Sequence, residues 1–443
     1  MKSTKSIAVL TLASVALTAL AACQMPQAPL GQAARPLNQL NSQSGGSLVP
    51  GQVIVKYRAG IRNASAQAAS TLTRFGAQRV KSLGSAATGM EVIRIPAGQS
   101  AAAAVQALEQ NPAVEFAEPV FTIPFPKVLR EEDTPPSPPA PANYPNDAMF
   151  GKQYSHRVAA SQAGWAITKG SPRVLIGIVD SGVDVNHPDL KAKIVDTYNG
   201  ADNNTDVKDV VGHGTHVAGI AAALTHNNLG VAGVAPDCGI LAVKVSSGDS
   251  SYPTTAGIAN GIMWAADHGA AVINLSLGSR SESKAITDAV KYALSKNIVV
   301  VAATGNDSGK VMSYPAVVQG VIAVGSTDAR DARSRFSNYG PWVSVTAPGS
   351  DILSTFPLNS NLIGQTEYGS ISGTSMATPF VTGLVGLIRS KYPTMPAVMV
   401  KQVLESSSDD KGKPGFDEEF GHGRVNVANA MTRAAQLMND STR

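Results

Sequence analysis

The chain is poor in cysteine. Its 443 residues include two, Cys23 and Cys238, so no disulfide framework supports the fold. It also lacks a charge imbalance. Lysine and arginine number 36 against 32 aspartates and glutamates, a formal charge of +4, and no basic cluster stands out. Nothing in that balance points to nucleic acid as a partner. A comfortable membrane span is missing from the N-terminal region as well, because the apolar stretch 7–20 is too short for one. What remains is length enough for one large domain and one small one.

The apolar stretch has another reading. Lys2 and Lys5 precede it, and residues 1–22 read as a secretory signal. It ends in Leu20-Ala21-Ala22-Cys23, which resembles the lipobox of bacterial lipoproteins, where the cysteine is lipidated and becomes the new N-terminus. The alternative is an ordinary signal cleaved after a small-residue site such as Ala19-Leu20-Ala21. Either way the chain leaves the cytoplasm, and its expected location is secreted and extracellular. With the lipobox in use, the precursor is anchored to a membrane through Cys23. Residues 23–49 read as a flexible tether, 50–125 as a small domain, 126–144 as a proline-rich linker and 145–443 as a large domain.

The rest of the chain is organised around Gly373-Thr374-Ser375-Met376-Ala377-Thr378-Pro379. A serine between small residues precedes the apolar run 380–388, which reads as a buried helix. Proline has no backbone N–H, which places Pro379 in the first turn of that helix and Ser375 at or just before its N-terminus. Unpaired N–H groups and the helix dipole favour negative charge there. A hydroxyl in that field is suited to attack a carbonyl. An ordinary N-cap serine is the plainer reading. The choice turns on a base, an orienting carboxylate and a second oxyanion donor. The chain offers all three in order. Asp180 follows the buried strand 174–179, at the end where open α/β sheets hold their sites. His213 lies in Gly212-His213-Gly214-Thr215-His216, and Asn306 follows the buried strand 298–303.

Competing motifs fall away. His213 and His216 are three residues apart with no glutamate after His213, unlike the histidine pair of a zinc protease. Gly248-Asp249-Ser250 lacks the glycines that follow the serine of chymotrypsin-like chains. The serine block lacks the second glycine of a hydrolase elbow. His216 reads as a packed histidine, the other five as structural or exposed, and Cys238 as a small buried residue.

Val179-Asp180-Ser181-Gly182, His213-Gly214-Thr215-His216-Val217-Ala218-Gly219 and the serine block resemble the three signature blocks of the subtilases, in that family's order. The resemblance runs from about Pro145 to Met431 and is closest to the thermitase-like branch. It implies an α/β fold with a doubly wound parallel sheet (subtilisin-like), preceded by a small α/β sandwich prodomain. Strands at 174–179, 240–245, 272–277, 298–303 and 321–324 alternate with helices at 213–224, 254–268, 283–295, 375–389 and 396–404. In the small domain, strands at 53–57, 91–95 and 114–119 alternate with helices at 64–75 and 100–110. Its place directly before the large domain favours an inhibitory prodomain over a free-standing binding module.

The expected activity is that of a serine endopeptidase working on proteins and peptides through an acyl-enzyme, made as a self-processing precursor. His213 acts as base and then as acid, Asp180 orients it, and Asn306 with the Ser375 N–H binds the oxyanion. The resemblance further implies that Ser276-Leu277-Gly278 pairs with substrate backbone and walls the first specificity pocket. Ser313 lies at the pocket floor and Asp307 on its rim, and a medium or large apolar residue is preferred. The second pairing segment, Gly248 to Ser251, departs from the family's glycine pattern. Calcium is the implied cofactor, held by Asp147, Asp189, Thr225, Asn227, Leu229 and Val231. Asn199, Asp202, Asn204 and Asp206 resemble a weaker second site, or form a solvated polar loop. The maturation cut is expected between Phe125 and Tyr144, and the mature protein is expected to be a monomer. The alternative is a catalytically silent, surface-anchored scaffold of the same fold, against which intact Asp180, His213, Asn306 and Ser375 argue.

Overall fold

The computed structural model describes residues 46–85, 88–125, 129 and 145–441. The signal segment, Cys23, most of the tether and nearly all of the linker lie outside the described residues. The N-terminal part contains β1 (Leu48–Tyr57), α1 (Ala64–Gln67), α2 (Ala69–Arg74), β2 (Gln78–Leu83), β3 (Met90–Arg94), α3 (Ala101–Glu109) and β4 (Val114–Phe121). Its strands form an antiparallel sheet in the order β2-β3-β1-β4. Successive strand residues face opposite sides. In β1, Val53 and Val55 pack against Ala64, Ala68, Ala104 and Leu108 of the helices. Ile54, between them, packs with the large domain.

The large domain continues with α4 (Tyr154–Val158), α5 (Ser161–Trp165), β5 (Leu175–Asp180), β6 (Ile194–Asn199), α6 (His213–Ala222), β7 (Gly239–Lys244), α7 (Thr255–Asp267), β8 (Ala270–Leu275), α8 (Lys284–Ser295) and β9 (Val299–Ala303). It ends with β10 (Ile322–Thr327), β11 (Val345–Pro348), the hairpin β12 (Ile352–Thr355) and β13 (Tyr368–Ile371), α9 (Thr374–Lys391), α10 (Ala397–Ser407) and α11 (Val427–Ser441). Seven parallel strands run in the order β11-β10-β9-β8-β5-β7-β6. Both faces are covered, which is why the strands are apolar throughout rather than alternating. Ile176, Ile178, Val299 and Val301 pack on the face shared with α6 and α9. Val179, Val300 and Ala302 pack on the face shared with α7 and α8. The order of connections reverses at β5, so the crevice at the carboxyl ends of the strands opens beside Asp180.

The small domain docks on α7 and α8. Ile54, Leu83, Met90, Val92, Phe116 and Val120 form one apolar cluster with Ala256, Met263, Ala285 and Ile286. Polar contacts fix the fit. The Glu118 carboxylate accepts hydrogen bonds from Ser283 Oγ (2.6 Å), Lys284 N (2.9 Å) and Ala285 N (3.2 Å), and so caps α8 from the other domain. Burial pushes its carboxyl up from the ordinary value against the pull of these donors. Gly84 N donates to Asn260 Oδ1 at 2.9 Å, and Lys56 Nζ to Asp288 Oδ2 at 2.5 Å.

Several expectations are corrected. The first strand begins at Leu48, inside the stretch read as tether, and Ser47 already exchanges hydrogen bonds with Thr122. The helix expected at 64–75 is two short helices on either side of buried Ala68. Strands β2 and β6 were not anticipated because each is an edge strand of mixed polarity. Pro379 is the sixth residue of α9, not part of its first turn. A proline there removes the N–H that would bond the carbonyl four residues back, that of Ser375. Ser276 Oγ donates to that carbonyl instead, at 2.8 Å.

Candidate active site

Four elements meet at the carboxyl edge of the sheet. Asp180 is the last residue of β5 and His213 the first of α6. Ser375 is the second residue of α9, and Asn306 follows β9. His213 Nδ1 lies 2.7 Å from Asp180 Oδ1, and both side chains are buried. Close approach of backbone makes this pairing fit. A Cβ on Gly214 would lie 2.1 Å from Gly182 O and 3.1 Å from Asp180 Cβ. Gly182 itself has φ 121°, a conformation costly for any other residue.

Asp209, which the sequence had not singled out, ties the two elements together. Its Oδ1 accepts from Ser181 Oγ (2.8 Å), Val211 N (3.1 Å) and Gly212 N (2.8 Å). Its Oδ2 accepts from Thr215 N (2.9 Å) and Thr215 Oγ1 (2.7 Å), and Gly214 N donates to Ser181 Oγ (2.8 Å). Burial pushes the Asp209 carboxyl up against these donors. At His213 burial also disfavours the charged form, but the Asp180 carboxylate and its hydrogen bond, with Asp209 behind them, outweigh it. The net effect raises the imidazole above its ordinary value.

Asn306 is held one way round. Its Oδ1 accepts from Thr374 N (2.9 Å) and Thr374 Oγ1 (2.8 Å). Its Nδ2 is buried and has no hydrogen-bond partner among the described residues, and neither has His213 Nε2. Ser375 Oγ donates to Ser276 O at 3.1 Å, the reverse of the Ser276 Oγ bond to Ser375 O. Beside them Leu277 is buried, and a Cβ on Gly278 would meet Ser313 Oγ at 2.3 Å. Asp307 is the exposed residue next to Asn306.

The residues read as a metal site also converge. Asp147 accepts from His226 N (3.0 Å) and Asn227 N (3.3 Å). Asp189 accepts from Asn227 Nδ2 (2.6 Å), Val231 N (3.1 Å) and Tyr368 Oη (2.9 Å). Leu229 N donates to Asn227 Oδ1 at 2.9 Å, and Thr225 Oγ1 is buried without a partner among the described residues. The 199–206 loop is closed by its own bonds, Asn199 Nδ2 to Asp202 Oδ2 (3.2 Å) and Asp206 N to Asn204 Oδ1 (2.9 Å).

A profile of the Subtilase family matches residues 171–423, and one of the fervidolysin N-terminal prodomain matches residues 34–119. The chain belongs to the subtilase family. This subtilase is 38% identical over 392 residues to the thermophilic serine proteinase of Bacillus sp. (strain AK1), covering 88% of the chain and 90% of the relative. It is 44% identical over 288 residues to thermitase of Thermoactinomyces vulgaris, covering 65% of the chain and 99% of the relative. Among solved structures, fervidolysin from Fervidobacterium pennivorans is similar at a TM-score of 0.78 and 26% identity. That match covers 87% of this chain and 61% of the fervidolysin chain. The protein is thus a subtilisin-like serine protease with an N-terminal prodomain.

Two prodomain-side residues reach the crevice of this subtilase. The Phe125 ring lies 5.4 Å from the His213 ring, centre to centre. Leu129 N donates to Ser372 O (3.3 Å), and Ser372 N donates to Leu129 O (2.9 Å). His216 is packed rather than reactive. Its Nε2 is 3.1 Å from Gly369 O, and burial lowers its pKa to about 3. Burial likewise lowers buried His156 to about 4, among Phe150, Trp165 and Phe380.

The electrostatics predict the outcome of replacing Asp180 by asparagine. In a Ser375→Ala background, His213 titrates above the ordinary histidine value. Asp180→Asn removes the opposing charge and leaves burial, so the imidazole falls below that value. NMR titration of the His213 ring checks this, and an unchanged midpoint contradicts it.

Proposed function

We propose that this subtilase is a secreted endopeptidase in which Asp180, His213 and Ser375 form the catalytic triad and Asn306 the oxyanion donor. The observation that carries this reading is the fixed Asn306 amide, whose unpaired Nδ2 adjoins the start of the helix bearing Ser375. Ser375 Oγ attacks the peptide carbonyl and its proton passes to His213 Nε2. Asp180 holds the tautomer through Nδ1 and stabilises the imidazolium. Negative charge on the carbonyl oxygen is met by Asn306 Nδ2 and the Ser375 N–H. His213 then protonates the leaving amine, and the acyl-enzyme is released by water. Ser276, Leu277 and Gly278 pair with substrate backbone, and Ser313 and Asp307 bound the pocket, which takes an apolar residue. Asn306→Ala lowers turnover by about a hundredfold or more and leaves substrate binding nearly intact. Steady-state kinetics test this, and near-normal turnover shows that the oxyanion is held elsewhere.

Calcium fits the Asp147 and Asp189 loop. Two buried carboxylates there have no ion pair among the described residues, and Thr225 Oγ1 lacks a partner. With the Asn227 amide and the carbonyls of Thr225, Leu229 and Val231, they offer a hard cation an all-oxygen set. Asp147, Asp189 and the 225–231 loop would hold the ion between them, so that its binding would favour the native arrangement of the loop. Excess chelator therefore lowers the melting temperature by several degrees or more, because a ligand of the native state stabilises it by mass action. An identical melting curve for enzyme shown to be metal-free contradicts the site.

The precursor processes itself. Phe125 against His213 and Leu129 paired with Ser372 support a cut in the short stretch between them. Cys23 lies on the prodomain side, so the cut separates the enzyme from any lipid anchor and leaves the prodomain as an inhibitor. Ser375→Ala then accumulates as uncut precursor. Expression of both forms, membrane fractionation and N-terminal sequencing test this. Cleaved Ser375→Ala protein in a host without helper proteases overturns self-processing. Failure of the wild type to react with a fluorophosphonate overturns the enzyme reading itself.

A further inference from the structure

We propose that Arg280 is a specificity-determining residue, which cancels the charge of Asp307 at the mouth of the substrate pocket and so keeps basic residues out. This rests on the endopeptidase reading given above. Strands β8 and β9 are parallel neighbours, and the segments that leave them form the two walls in question. One wall runs from Ser276 to Arg280, and the other from Thr304 to Tyr314. Ser279 and Tyr314 join them by two backbone hydrogen bonds of 2.9 and 2.8 Å. Ser313 fills the angle, its Oγ against Gly278 and its Cβ 3.6 Å from a Cβ built on Gly305.

Arg280 and Asp307 close an ion pair across these walls, from guanidinium Nη2 to carboxylate Oδ1. The two ends differ in freedom. Asp307 is fixed: its N–H donates to Asn338 Oδ1 at 2.7 Å, and its Oδ2 accepts from Asn338 Nδ2 at 3.2 Å. Asn338 is fully buried and also donates to Thr304 O and Val311 O, both at 3.0 Å. Arg280 is the loose end, with 56% of its side chain exposed. Nearby cations are engaged elsewhere, Lys310 with Glu418 and Arg333 with Glu419. Glu282, the next acid along the first wall, accepts from Thr287 Oγ1 at 2.9 Å. The pair therefore sets the charge at the mouth, neutral with Arg280 in place and negative without it.

An exposed pair of this kind adds little to stability. Its effect on a charged side chain entering the pocket is larger, because that side chain brings a full charge close to Asp307, and removing Arg280 leaves the carboxylate unneutralised. Removing Arg280 while keeping Asp307 turns the mouth into an attractor for lysine and arginine on the acyl side of the cut bond.

The experiment uses mature enzyme and peptide amides that differ only in that acyl-side residue, phenylalanine against lysine. Arg280→Gln is expected to raise the lysine-to-phenylalanine ratio of kcat/KM by about tenfold at low ionic strength, with most of the gain lost in high salt. Arg280→Lys keeps the charge and the wild-type ratio. Arg280→Gln combined with Asp307→Asn returns the ratio to that of the wild type. A ratio unchanged within about twofold in Arg280→Gln, or raised equally in the double variant, overturns the proposal. A wild type that cleaves neither peptide, nor a denatured protein, overturns the endopeptidase reading instead, so the two failures are distinct.

Discussion

Asp180 carries a carboxylate into a fully buried position, and much of the large domain is arranged to keep it there. An unmatched charge in such surroundings is costly, and removing a single partner costs several kcal/mol. His213 supplies the match at 2.7 Å, from a helix start so close to the turn after β5 that a Cβ on Gly214 would lie 2.1 Å from Gly182 O. Asp209 accepts five hydrogen bonds beneath the pair and locks the turn after β5 to the start of α6. The Asp–His pair thus rests on a second buried carboxylate satisfied by neutral donors.

Other buried or partly buried acids are managed in the same way, each by what lies at hand. Glu118 of the prodomain sits on the N-terminus of α8, where free amides and the helix dipole receive it. Asp147 and Asp189 gather the amides of the 226–231 loop. The prodomain contact and the 225–231 loop are in this sense alternatives: one charge is matched by a helix end, the other two by loop donors.

Legibility from sequence followed the length of the contiguous signal. Buried parallel strands read as short apolar runs, and β5, β7, β8 and β9 were found within a residue or two, as were helices α6 to α9, whereas β10 ends three residues later than expected and β11 and α11 were missed. Edge strands β2 and β6 carry polar residues because one side meets solvent, and they have no comparable signature. Pro379 misled in a specific way. Local preference put it in the first helical turn, but a hydrogen bond from Ser276, 99 residues away, satisfies the carbonyl it leaves free. Asp209 escaped notice because an aspartate in a loop rich in aspartate and asparagine has nothing in its neighbours to mark it as buried.

By itself the sequence determined the parallel α/β class, the subtilase family and the short blocks around Asp180, His213 and Ser375, since each depends on residues adjacent in the chain. Tertiary structure alone decided how distant segments meet. It set the orientation of Asn306 through Thr374, the exchange between Ser276 and Ser375, the prodomain carboxylate on α8 and the Arg280–Asp307 pair. The physical reason is that these partners lie 27 to 167 residues apart. Their contact depends on strand order and on where each strand ends at the sheet edge, which no local pattern encodes.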